Sequence, residues 1–159
     1  MKLPVVNEQD EVIGYKNRGE TNPEDITRVS ALWVIDKDNN ILLARRALTK
    51  KHGAGLWGPA VAGTVEEGES YEQNIIKEAE EEIGLVGVNF SLGPKKRVSS
   101  SHEYFCQWFT AIVDRGYPFK KQDDEVEEVK WFSKSELERL VKEKDKNFTP
   151  SLKEYSGYF

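Results

Sequence analysis

The run EAEEE at 78–82 puts Glu78, Glu81 and Glu82 where their types and spacing could do chemistry. With Ile75 at 0° on a helical wheel of about 100° per residue, Glu81 falls near 240°, Glu78 near 300° and Glu82 near 340°. Three carboxylates then share an arc of roughly 100° on one side of the helix, while Glu80 points elsewhere. A solvated face mixes signs, but here only Lys77 is placed to pair, with Glu81. Acids converging at the edge of a core repel one another, and burial raises their pKa values. Divalent cations remove that conflict. Mg²⁺ takes oxygen ligands and bridges carboxylates to phosphates, so the pattern points to phosphate chemistry at an acidic site. The alternative is an acidic face that is simply solvated.

The elements that must position these acids can be read around them. Ser70 and Gln73 form a capping box and Gly84 is a stop, which predicts a helix over 71–84. Ile75, Ile76, Ala79 and Ile83 form its apolar stripe. Upstream, residues 11–16 read as a short strand after a polar opening, and 17–25 as a loop. Residues 27–36 and 41–46 read as strands joined by the turn KDNN. GAGLWGPAVAG at 53–63 is a glycine-rich passage around one short strand. Strand patterns return near 88–99, at 102–113 and at 127–132. An amphipathic helix over 133–144 and a tail, FTPSLKEYSGYF, with a last helical turn complete the chain. Strands and helices mix without strict alternation, so the expected class is α+β.

The bulk properties narrow the functions. The 159 residues suit a single domain, 1–159. The formal charge of −5 argues against binding duplex DNA, which asks for a basic face. No stretch is apolar and long enough to span a bilayer, and the N-terminus lacks the apolar run of a signal peptide. A lone cysteine, Cys106, excludes an internal disulfide and fits a reducing, cytoplasmic setting.

Residues 63–85, GTVEEGESYEQNIIKEAEEEIGL, follow the pattern G-x5-E-x7-R-E-U-x-E-E-x-G-U, where U is a bulky aliphatic residue. Gly63, Glu69, Glu78, Glu81, Glu82, Gly84 and Leu85 meet it, while Lys77 replaces the usual Arg and Ala79 is small. The segment resembles the Nudix box, the signature of a family of pyrophosphate-bond hydrolases. The resemblance implies an α/β/α sandwich with a mixed β-sheet and a loop–helix–loop catalytic motif. It implies Glu78 and Glu82 as the main Mg²⁺ ligands, with Mn²⁺ a possible substitute. Glu81 would be a further ligand or would poise the attacking water, and the Gly63 carbonyl would be an additional ligand. Glu69 would pair with Lys77. Lysine offers one compact ammonium where arginine offers a bidentate fork, so Glu69 would be held less firmly.

Around the box, VVNEQDEVIGYKNRGE, ALWVIDKDNNILLARR, GLWGPAVAG and DDEVEEVKWFS resemble isopentenyl diphosphate isomerase and its relatives over most of residues 4–135. Those isomerases place a cysteine just before the glycine of the box, where Ala62 stands here, and build a metal site from several histidines. His52 and His102 do not match that pattern. The expected activity is therefore Mg²⁺-dependent hydrolysis of a nucleoside diphosphate derivative or related organic diphosphate. Prenyl diphosphate isomerisation and non-catalytic nucleotide sensing stand as alternatives. Glu103 and Glu125 are candidates for a general base supplied from outside the box, or are solvated surface acids. Arg45, Arg46, Lys50 and Lys51 form a basic cluster that either holds a distal phosphate, Arg45 foremost, or is surface charge, and strand alternation sends Arg45 and Arg46 to opposite faces. Trp57 either stacks on a base or covers the core. The partner implied is a small-molecule diphosphate, and a homodimer is an expectation by analogy with the family.

Overall fold

A computed structural model of the chain describes residues 1–143, 146–149 and 152. Its framework is a mixed sheet. The strands are β1 (Lys2–Val6), β2 (Val12–Asn17), β3 (Ile26–Ile35), β4 (Ile41–Arg46), β5 (Trp57–Pro59), β6 (Val61–Thr64), β7 (Ser91–Ser99), β8 (Glu103–Ile112) and β9 (Val126–Phe132). The helices are α1 (Tyr71–Ile83) and α2 (Lys134–Lys142).

The central strand is β3. It lies parallel to β8 along its whole length, from Ile26 against Glu103 to Ile35 against Ile112. Its other edge is shared among antiparallel partners: β1 at Val6, β6 from Val29 to Leu32, and β4 at Val34 and Ile35. β4 continues away from β3 between β5 and β9. Alternation along β3 assigns its side chains to two cores. Ala31 and Trp33 pack with Leu43, Trp108 and Leu137 of α2. Leu32 and Val34 pack with Leu42, Phe109 and the Ile75–Ala79–Ile83 stripe of α1. Each helix thus covers one face of the sheet, giving the α+β sandwich. Because both faces are covered, β3 reads as a nearly continuous apolar run rather than an alternating one.

Several boundaries depart from the sequence reading. The polar opening contains β1, whose Leu3, Val5 and Val6 are buried. It pairs with β2 from Lys2–Asn17 to Val6–Val12, a hairpin that a scan for long apolar runs passes over. The glycine-rich passage holds two short strands, β5 and β6, because its two halves pair with different partners, β4 and β3. Ile76 is exposed, not part of the α1 stripe; Asn74 is buried instead. Asn74 accepts from the Ser30 hydroxyl and donates to the Thr64 carbonyl (3.0 Å), so a polar anchor takes the place of an apolar one. The helix expected over 133–144 runs from Lys134 to Lys142. Lys144 and most of the tail lie outside the described residues.

Candidate active site

The box folds as the local signals direct. The Ser70 hydroxyl accepts from the Gln73 amide (3.1 Å) and the Gln73 side chain accepts from the Ser70 amide (2.9 Å). At the other end Gly84 takes a left-handed conformation (φ 66°) and its amide reaches back to the last turn of α1. A second segment then seats on that end. The Lys120 amide donates to the Ile83 carbonyl (2.9 Å) and the Gln122 amide to the Glu82 carbonyl (2.8 Å). This docking brings the acidic loop ahead of β9, and with it Glu125, across from Glu82.

Glu78, Glu81 and Glu82 line one polar hollow with Gly63, Glu66, Glu125 and Gln122. Three cations border the same hollow: Arg18, Arg46 and Lys50. Glu81 is exposed, while Glu78 and Glu82 are half-buried. Burial drives the Glu82 carboxyl up to about 8; Glu78 and Glu125 push the same way, against the Ala62 amide and Lys50. Burial also raises Glu78, with Lys77 working against it and Glu81 adding to it. Glu69 behaves oppositely. Burial would raise it, but Lys77 (2.7 Å), the Glu66 amide (2.8 Å) and Asn74 (3.2 Å) outweigh that and hold it below its ordinary value. The Lys77 ammonium also stands 3.5 Å from Glu66 and 3.8 Å from Glu78.

Gly63 is required by space. A Cβ there would lie 2.4 Å from Cγ of Glu78, so any side chain would drive that carboxylate out of place. Glu125 accepts from Lys50 at 2.6 Å. Among the described residues, no group of three or more His, Cys, Asp or Glu is gathered tightly enough to hold a metal ion unaided. The donor set is carboxylate and carbonyl oxygen, which suits Mg²⁺ or Mn²⁺. Mg²⁺ commonly binds through one or two carboxylates, with water and substrate phosphate completing its shell. Residues that hold acids at raised pKa beside an open hollow fit that mode.

Beside the polar hollow lies a mainly apolar chamber that shares Val29, Arg46, Ala62, Glu82 and Glu125 with it. Arg45 lines this chamber, its Nε donating to the Gly55 carbonyl (3.0 Å). Contrary to simple alternation, Arg46 reaches the chamber too. The β4–β9 register shifts between Arg45 and Arg46, and such an irregularity re-aims neighbouring side chains. Two other candidates lie apart from both hollows. Trp57 is half-buried, with its ring edge-on to Phe132 (centroids 5.3 Å apart), and serves the core. Glu103 opens β8 beside Thr21, Asp25 and His102, where it accepts from Ser99 (2.9 Å) and Arg97 (3.2 Å). Of the three cations of the polar hollow, Arg46 and Lys50 belong to the basic cluster that the sequence offered for a distal phosphate; Arg18 was not singled out by sequence. Only the folding of the β1–β2 hairpin and of the loop after β4 brings them there.

The NUDIX domain model matches residues 26–152. The chain belongs to the Nudix family. Its members are hydrolases acting on phosphoanhydride bonds, and they generally require divalent cations. The chain is similar to the uncharacterised Nudix hydrolase YfcD of Salmonella typhi, at 33% identity over 156 residues, 95% of this chain and 80% of that protein. It is also similar to isopentenyl-diphosphate Delta-isomerase 2 of Photorhabdus laumondii, at 29% identity over 87% of this chain and 81% of that one. In fold it matches the crystal structure of DR0079 from Deinococcus radiodurans, with a TM-score of 0.84 at 20% identity, covering 99% and 98% of the two chains. No described helix of this Nudix protein is long and apolar enough to cross a membrane.

Proposed function

We propose that this Nudix protein is a Mg²⁺-dependent hydrolase of a nucleoside diphosphate derivative or related organic diphosphate. The observation that carries this reading is the polar hollow, in which Glu78, Glu81, Glu82 and Gly63 face Arg18, Arg46 and Lys50. Acids alone would repel a diphosphate, and cations alone would bind it without cleaving it. Together they divide the work. Glu78, Glu82 and the Gly63 carbonyl would hold the ion, with Glu81 as a further ligand or as the group that poises water. Mg²⁺ supplies charge neutralisation at the phosphate oxygens and a more acidic bound water. Arg18 and Arg46 would hold phosphate oxygens. Glu125, which accepts from Lys50 and lines the hollow, would take the proton of an attacking water. Glu69 and Lys77 would keep the entry to α1 in register rather than touch substrate.

A second reading, isomerisation of a prenyl diphosphate, is favoured by the likeness to the Photorhabdus isomerase and by Cys106 lining the apolar chamber. Ala62 leaves the chain without a thiol at the position those isomerases use. Purified protein incubated with Mg²⁺ and a panel of diphosphates, with coupled phosphate detection, separates the readings. Hydrolysis is expected with Mg²⁺ or Mn²⁺, and it is expected to stop with chelator. No phosphate released from any member of the panel would refute the hydrolase. Rearranged isopentenyl diphosphate would install the isomerase, and binding without turnover the sensor.

A further inference from the structure

The apolar chamber has a size and a lining that select among diphosphates. We infer that it receives the organic group of the substrate, and that this group is compact, apolar and joined directly to the diphosphate. The inference rests on the hydrolase reading above.

The shared wall comes first. Arg46, Ala62, Glu82 and Glu125 face both hollows, so a molecule whose diphosphate lies among the box acids has its ester oxygen at the chamber mouth. The chamber exists because small residues stand where larger ones would fill the sheet: Ala31, Ala44, Gly58, Ala60 and Ala62. Trp108 and Tyr104 of β8 also line it. Its volume is about 160 Å³. A protein cavity of about 150 Å³ accepts benzene, so this one suits one six-membered ring or a branched chain of about five carbons. A nucleoside brings a sugar as well as a base and overfills it. The chemistry agrees with the volume. Among the described lining residues none carries a side-chain amide, and the charged groups are Arg45 and those on or beside the shared wall. A nucleobase moved from water into such a lining finds side-chain partners for its edge only at Tyr104, Trp108, Thr149 and the charged groups, whereas an alkyl group gains from leaving water.

The reaction balances without a co-reactant. Water adds to the terminal phosphorus, the bridging P–O bond breaks, and the organic monophosphate and orthophosphate leave, with a proton passing to solvent.

The test uses 3-methylbutyl diphosphate, a saturated substrate that cannot isomerise, against CDP and ADP. Wild-type protein with Mg²⁺ is expected to release orthophosphate from it with a kcat/KM at least about tenfold above either nucleotide, the scale on which one or two apolar contacts discriminate. Filling the chamber with Ala44→Leu, or with Tyr104→Trp at a half-buried wall position outside the polar hollow, is expected to raise KM for 3-methylbutyl diphosphate about tenfold. Cleavage of inorganic triphosphate, which has no organic group, should change little. Calorimetry with 3-methylbutyl monophosphate supplies a readout free of turnover, and its binding should weaken in both variants. Preference for CDP or ADP, or equal losses on all substrates with monophosphate binding intact, would overturn the inference while leaving the hydrolase standing. If no diphosphate is cleaved but the monophosphate binds and both variants abolish that binding, the hydrolase falls and the chamber assignment survives. Absence of both cleavage and binding overturns both.

Discussion

Helix α1 touches two half-hidden carboxylates whose surroundings are opposite. At its first residue, the Tyr71 hydroxyl donates to Asp10 (2.9 Å). Asp10 also receives Arg28 Nε (2.7 Å) and Lys95 Nζ (2.8 Å), and its side chain is only 6% exposed. Burial would raise its pKa, but Lys95, Arg28 and Tyr71 together bring it below 3.8. Near the helix's last residue, Glu82 has the Ala62 amide and the Lys50 charge on its side, and Glu78 and Glu125 against it. One knot is neutralised by the chain itself. The other is left in debt, and such a debt marks a place where a ligand belongs. Asp10 ties the β1–β2 hairpin to β3 and β7, while Glu82 is the acid we propose for the ion.

The largest expected effect of breaking this contrast is on turnover. Glu82→Gln keeps shape and removes the charge. We expect kcat to fall at least about a hundredfold, the scale of losing one electrostatic contact to a reacting group. Its thermal midpoint should stay level or rise, since a repelled buried charge has gone. A marked loss of stability would place Glu82 with Asp10 as a structural acid.

Next is the response to pH and metal. The folded chain keeps the Glu82 proton up to about pH 8, whereas the unfolded chain releases it near 4.5. This carboxyl therefore costs nothing below about 4.5, and its cost to folding grows as pH rises to 8. Scanning calorimetry with chelator should show wild-type losing stability over that interval relative to Glu82→Gln. Mg²⁺ at about a hundred times its Kd should raise the wild-type midpoint by about 5 °C or more at pH 8, and less at pH 5. A metal shift that is the same in Glu82→Gln would remove Glu82 from the ion's shell.

Asp10→Asn gives a smaller effect of the opposite kind. It leaves Arg28 and Lys95 without their shared counter-charge, and should cost about 2 kcal/mol and lower the midpoint by about 6 °C. Asparagine also tolerates the left-handed backbone there (φ 59°). Because the folded pKa of Asp10 is depressed, its contribution stands above pH 3.8 and is lost as pH falls through the folded value. Turnover per folded molecule should stay within about twofold of wild type, against the hundredfold scale of a lost contact in the site. A much larger loss of turnover would mean that the hairpin, with Arg18 at its end, is positioned through this knot.

The two knots were not equally legible in the sequence. The acid cluster sits within five residues of chain, and Ser70, Gln73 and Gly84 set the bounds of that helix by local chemistry. Asp10, Arg28, Tyr71 and Lys95 span 85 positions, and nothing local announces that they meet. The same divide separates the strands. β3 and β4 carry β-branched and apolar runs, but the parallel register of β3 with β8 is a non-local fact. β1 is short and polar at its start, and becomes a strand because β2 pairs with it. The polar hollow divides likewise: its acids, Glu125 apart, lie in one motif, whereas Glu125, Arg18, Arg46 and Lys50 come from segments that only the fold brings near.

The smallest expected effect concerns Lys77, where the family prefers Arg. An arginine fork would serve Glu69 alone, and serve it well. In this chain Glu69 already accepts from the Glu66 amide and Asn74, so its direction is set without a fork. The compact Lys77 ammonium instead lies 2.7, 3.5 and 3.8 Å from Glu69, Glu66 and Glu78. It is a point charge shared by three acids, one of them the proposed ligand Glu78. Lys77→Arg should therefore alter kcat by less than about threefold, well inside the tenfold that 1.4 kcal/mol would give. Lys77→Met, which removes the shared charge, should cost more, chiefly by weakening Glu69 and raising Glu78 further. A tenfold gain from Lys77→Arg would show that the orientation of Glu69, rather than the charge balance of the hollow, limits this enzyme.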